Sequence, residues 1–145
     1  MNLIEKVKPL DLNVAVPRSS SETMVGIAHL PRMIDKARAR ENNMLGEYIY
    51  PCPLDWQVLK HLNVKPGAFA ELAVVNDDDQ MLEWTQEAAP ASTWERREIL
   101  NGKILNRKVS SVDMPYFINQ RNLFDPTRTD VTTWDGLTDL EEGHI

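Results

Sequence analysis

In LPRMIDKARAREN, residues 30–42, Leu30, Met33, Ile34 and Ala37 recur at i, i+3, i+4 and i+7. That spacing puts four apolar side chains on one side of a helix. Pro31 falls in the first turn, where the missing N–H removes no helical hydrogen bond. Residues 30–40 are therefore expected to form a helix that buries these four. Beside the stripe, Arg32, Lys36 and Arg40 recur at i, i+4 and i+8, with Arg38 on the far flank.

The rest of the chain carries shorter periods of the same kind. PLDWQVLKHLN starts at Pro53 and lines up Leu54, Val58 and Leu62, with Leu59 at the flank. Asp55 lies in its first turn, at the positive end of the helix dipole. Residues from Pro66 to about Val75 read as helical, and Asn76 ends them. The run Asp77 to Asp79 supplies an N-cap for DDQMLEWTQEAA, which turns Met81, Leu82, Trp84 and Ala88 inward. Ser92-Thr93-Trp94-Glu95 has capping-box spacing and predicts a helix through Leu100 to about Arg107. Ser110 to Asp113 opens a last one, MPYFINQRNLF, with Phe117, Ile118, Arg121 and Phe124 near one stripe.

The expected fold class is mainly α, a single compact domain of five or six short helices; 145 residues suffice for one core. Residues 1–28 read as an extended N-terminal arm, 29–124 as the helical domain, and 125–145 as an irregular C-terminal tail. In the arm, Leu10, Leu12, Val14 and Val16 alternate and are expected to pack on the body. In the tail, Trp134, Leu137 and Leu140 can dock on it.

LPRMIDKARA followed by GEYIYPCPLD resembles the bacterial family described as domain of unknown function 5069. Val16-Pro17-Arg18 and Leu82-Glu83-Trp84 extend the likeness, which covers about residues 9 to 107. The resemblance implies a compact bacterial helical domain, and it implies no activity.

Composition narrows the function classes. The net charge of -6 argues against nonspecific nucleic-acid binding, which draws its free energy from neutralising phosphates with Lys and Arg. No segment approaches the ~18 apolar residues of a membrane span, and the N-terminus is broken by Glu5, Lys6, Lys8 and Asp11. A cytoplasmic location is expected. Cys52 is the only cysteine and cannot form an intramolecular bridge. No metal site or cofactor is expected: His29, His61 and His144 are far apart, Cys52 has no partner at ligand spacing, and Asp77 to Asp79 lack the rest of an EF-hand loop. Nor is there a G-x-S-x-G or G-x-G-x-x-G motif, so no catalytic set is assigned.

The stretch GEYIYPCPLDWQVL holds more chemistry than a corner requires. Gly46, Pro51 and Pro53 suffice to redirect the chain, which leaves Tyr48, Tyr50, Asp55 and Trp56 to be explained. In an extended segment the two tyrosines would point to the same side. Together with Arg32, Lys36 and Arg38 these residues are the candidate ligand-binding surface, since guanidinium and ammonium groups bind carboxylate or phosphate. The structural alternatives are a solvated helix face pairing with Asp35, Glu41 and Glu47, and plain corner packing. The leading reading is a non-catalytic domain that binds a protein partner or a small anionic ligand. The alternative is an enzyme using Asp55 or Cys52 as acid, base or nucleophile, with Arg38 holding an anionic substrate. A third, a nucleic-acid regulator, would need Arg18, Arg96, Arg97, Arg107 and Lys108 on one face with Arg32. An enzyme needs a concave pocket where polar groups converge; an interaction module presents a flatter aromatic patch.

Overall fold

The stripe forms helix α1 (Leu30–Glu41), and Leu30, Met33, Ile34 and Ala37 are wholly buried. These features belong to a computed structural model that describes residues 7–88 and 92–145. Within those residues α1 is followed by α2 (Pro53–Leu62), α3 (Pro66–Val75), α4 (Asp78–Ala88), α5 (Trp94–Leu105), α6 (Met114–Phe124) and α7 (Trp134–Glu142). The fold is mainly α, with seven helices where five or six were expected.

The core forms around α1. Met33, Ile34 and Ala37 meet Phe69, Ala70 and Ala73 of α3, Val58, Leu59 and Leu62 of α2, and Leu100 and Ile104 of α5. Trp84 of α4 closes one side by setting its ring edge against Phe69, 5.8 Å between centroids. A smaller second cluster joins Phe117, Val131 and Leu137, with Trp134 packed edge-on to Phe117. Trp134, Leu137 and Leu140 thus dock as expected, but from a helix rather than an irregular tail.

Several expectations are corrected. Residues 23–28 of the arm form a two-stranded antiparallel hairpin, β1 (Thr23–Met24) with β2 (Ile27–Ala28). Val25 and Gly26 both take positive φ at its turn, the backbone that matches strand twist in two-residue hairpins. Only Leu12 of the alternating four is buried; Leu10, Val14 and Val16 are exposed. The cause is a turn at Asp11, whose carbonyl accepts from Val14 and Ala15 and breaks the alternation. In α4 Leu82 faces out, while Met81 and Thr85 face in. The cap of α5 is Thr93, whose hydroxyl accepts from the Arg96 N–H; Ser92 is taken by His61 and Arg97 instead. On α6 only Phe117 is buried, and Ile118 and Phe124 are exposed.

Candidate functional site

The three candidate cations of α1 are buried: Arg32, Lys36 and Arg38 are exposed by 7%, 3% and 7%, so the solvated helix face holds only for Arg40, which is exposed and lies 3.9 Å from Glu41. Burying a charge is costly unless it is paired and hydrogen-bonded, and each of the three has found partners. Asp35, Glu41 and Glu47 are not those partners.

Lys36 sits at the centre. Its Nζ donates to the Ile49 carbonyl at 2.9 Å and to Cys52 Sγ at 3.2 Å, and lies 2.7 Å from Asp55 Oδ2. Asp55 is fully buried. It holds the start of α2 in a capping box: its carboxylate accepts from the Cys52 N–H at 2.9 Å, and Cys52 Sγ accepts from the Asp55 N–H at 3.4 Å. The other carboxylate oxygen lies 2.7 Å from His29 Nε2, and His29 Nδ1 lies 2.9 Å from Ser20 Oγ.

The protonation states follow from burial and neighbours. Burial pushes His29 below its ordinary value, outweighing the lift from Asp55, and the Lys36 and Arg32 charges push the same way. The ring is neutral at physiological pH. Its Nε2–H donates to Asp55, which leaves Nδ1 to accept from the Ser20 hydroxyl. For Asp55 burial pushes upward, but the His29 hydrogen bond and the Lys36 charge outweigh it and hold the carboxyl below the usual range. His29 itself takes φ 72 at the N-cap of α1, a strained conformation for a residue with a Cβ.

Above this cluster opens a pocket of about 260 Å³, walled in part by Ser20, Arg32, Lys36, Tyr48 and Cys52. One rim is built by the C-terminal helix. Glu142 of α7 grips Arg32 through two hydrogen bonds, 2.7 and 2.9 Å, and accepts from the Tyr48 hydroxyl at 2.9 Å. Burial and the Glu142 carboxylate together push the Tyr48 phenol up to about 12. Gly46 lets the arm close against this corner. It has φ 61, and a Cβ there would lie 2.7 Å from the Leu12 carbonyl oxygen.

Of the seven candidates, the structure brings Arg32, Lys36 and Tyr48 to the pocket and places Asp55 beneath its floor. The other three lie elsewhere. Arg38 points to the opposite side of α1, because two residues along a helix turn a side chain by about 200°. There it donates to the Ala73 and Asn76 carbonyls and to Asp78, in a network that continues from Asp78 through Arg18 to Asp35. Tyr50 is buried and donates to the Pro66 carbonyl at 2.7 Å. The shared side expected for the tyrosines is not seen: the Tyr48 hydroxyl donates to Glu142 and the Tyr50 hydroxyl to the Pro66 carbonyl. Trp56 stays 44% exposed on the outer face of α2.

Sequence reasoning passed over three participants: Ser20, His29 and Glu142. His29, Cys52 and Asp55 bring possible metal-ligand atoms within 4.8 Å of one another, a convergence invisible in their spacing. Lys36 already lies within contact distance of two of the three, so its ammonium stands where a cation would have to enter.

The basic residues that a nucleic-acid surface would require have these surroundings. Arg18 and Arg32 are tied to carboxylates and Arg107 lines the pocket, whereas Arg96 lies in a separate groove with Lys60, His61 and Lys103. No helix among the described residues is long and apolar enough to cross a membrane. No curated protein matches the sequence. The family model for a domain of unknown function, DUF5069, matches residues 14–144, and so takes in the C-terminal helices that the motifs had left out. The chain belongs to the DUF5069 family.

Proposed function

We propose that the protein binds a small anionic molecule in the pocket between α1, the Tyr48–Asp55 corner and α7. The observation that carries this reading is convergence: a concave site whose wall presents Lys36, Arg32 and a part-exposed thiol. Arg32, Lys36 and Arg107 bring three cationic groups to the pocket wall; Glu142 already pairs the first and Asp55 the second, so Arg107 is the cation on which the anion reading leans. Cys52 and Leu54, also in the wall, mark the N-terminus of α2, where the helix dipole attracts negative charge.

A second reading, a partner surface, is favoured by two exposed apolar side chains, Ile49 in the pocket wall and Trp56 on the outer face of α2. Aromatic anchors of this kind are enriched at interfaces. A single free cysteine and the absence of a membrane-length apolar helix among the described residues fit a bacterial cytoplasmic protein, and that is the location this reading takes.

Thermal melting with phosphate, malonate and a neutral diol tests the leading reading, using wild type and Arg107→Gln. The two anions should raise the melting temperature of wild type in a saturable way, and Arg107→Gln should blunt the rise. Equal responses to the diol and the anions would contradict it.

A further inference from the structure

We infer that the outer face of α6 pairs with the same face of a second copy of this chain, the two helices running antiparallel. None of the residues involved lines the anion pocket, so the two readings stand or fall separately.

Helix α6 buries one side chain, Phe117, and leaves Met114, Tyr116, Ile118, Leu123 and Phe124 exposed. On the side turned away from Phe117, Tyr116, Asn119 and Leu123 lie within about 60° of one another, because residues three and seven apart nearly share a direction. Val112, in the turn just ahead of the helix, continues the row. Its spacing, 112, 116, 119 and 123, is the alternation of four and three residues that seams paired helices. Val112, Tyr116 and Leu123 are 86%, 60% and 71% exposed, far from the burial such a seam is suited to. The Tyr116 ring is held by Trp134, 6.5 Å between centroids, so little side-chain freedom is lost when it meets a partner.

Charge selects the occupant. The chain carries a net charge of -6, so its copies repel one another wherever their acidic surfaces meet. At α6 they can approach: Met114 to Phe124 contains no acidic residue, and its one charged group, Arg121, turns inward to donate to the Val131 carbonyl. A lipid surface fits less well, since helices that lie on membranes carry Lys and Arg along their polar face. A charged partner protein would find nothing on this row to steer it.

The order of side chains along the row then favours the antiparallel pair. Val112 meets the second copy's Leu123, and Tyr116 meets the second copy's Asn119, whose amide can bond the phenol. Asp113, exposed at the N-cap of α6, falls beside the second copy's Gln120, whose amide can donate to the carboxylate. The helix dipoles run opposite to each other, and every contact occurs twice, as a two-fold pair requires.

Sedimentation velocity of the wild-type protein, from roughly 1 µM to 1 mM, reads the pairing. One short helix per copy makes a small interface, so a monomer–dimer equilibrium with Kd of about 10–100 µM is expected. Leu123→Glu sets a carboxylate against the second copy's Val112 and should weaken the dimer about a hundredfold. Its melting temperature should stay that of the wild-type monomer, because Leu123 is exposed. Gln120→Lys gives the second copy's Asp113 a cation and should tighten the dimer about threefold, whereas Gln120→Glu should loosen it. This pair leaves the apolar row intact and decides the register without the Leu123 variant; equal responses to Lys and Glu would overturn the antiparallel arrangement. A wild type still monomeric at about 1 mM, or a dimer indifferent to Leu123→Glu, overturns the inference. So does a monomer that floats with phosphatidylcholine vesicles, which gives the face to lipid.

Discussion

Asp55 is the residue on which the site turns, because its two oxygens answer to His29, Lys36 and the Cys52 amide at once. Removing its charge strands the Lys36 ammonium in the interior. Asp55→Asn is expected to cost about 3–5 kcal/mol, the range for breaking a buried pair by neutralising one partner, in a urea titration. A loss under about 1 kcal/mol would show that water reaches Lys36. His29 makes a separate forecast. Its folded value lies below the ordinary 6.5, so as pH falls through that value the unfolded chain takes up a proton that the folded one refuses. Stability should fall between about pH 7 and 5, to be followed by denaturant midpoints across that range. His61, also lowered by burial and its arginine neighbours, adds to the slope, so His29→Gln should flatten it without abolishing it. Stability that rose as pH fell would mean an imidazolium paired with Asp55. Arg38, expected at the ligand, is architecture. Arg38→Ala should cost about 1–3 kcal/mol by stranding the Ala73 and Asn76 carbonyls, while anion-induced melting shifts stay as in wild type.

At the scale of elements, α1 was legible because one uninterrupted apolar stripe and a first-turn proline agree, and its burial follows from that stripe. Ile34→Ala should therefore cost about 2–5 kcal/mol in the same titration. The charged residues of α1 were legible as a row but not as buried groups, since periodicity says where a side chain points and not what covers it. For Arg32 the cover is α7, whose signal was present and unread. Thr133 caps the Gly136 N–H, Trp134, Leu137 and Leu140 recur at three-residue spacing, and Gly143 ends the helix at φ 77. The density of Thr, Asp and Gly masked this pattern. Glu142 is the tie from α7 to α1. It is held below its ordinary value because Arg32 and Tyr48 outweigh the upward push of burial. Glu142→Gln should raise hydrogen exchange of the amides across residues 134–142 and leave α3 protected; unchanged exchange would mean that the apolar contacts of Leu137 alone hold the helix.

For the whole molecule, the fold class followed from local periods, whereas the site did not, because its chemistry comes from residues 20, 29, 36, 52, 55 and 142. Such a convergence depends on how helices pack, and spacing along the chain carries no trace of it. The Gly46–Leu59 corner contributes Tyr48, Cys52 and Asp55 to the cluster, whereas His29 and Ser20 arrive from the hairpin side and were not read from the sequence. The central claim is that this pocket, and not the basic groove of Lys60, His61, Arg96 and Lys103, is where the protein meets its ligand. An NMR titration of the uniformly labelled wild type with malonate tests it most directly. Saturable shifts should gather at Ser20, His29, Tyr48, Cys52, Leu54 and Arg107; saturable shifts confined to the α2–α5 groove, or none at all, would contradict the account.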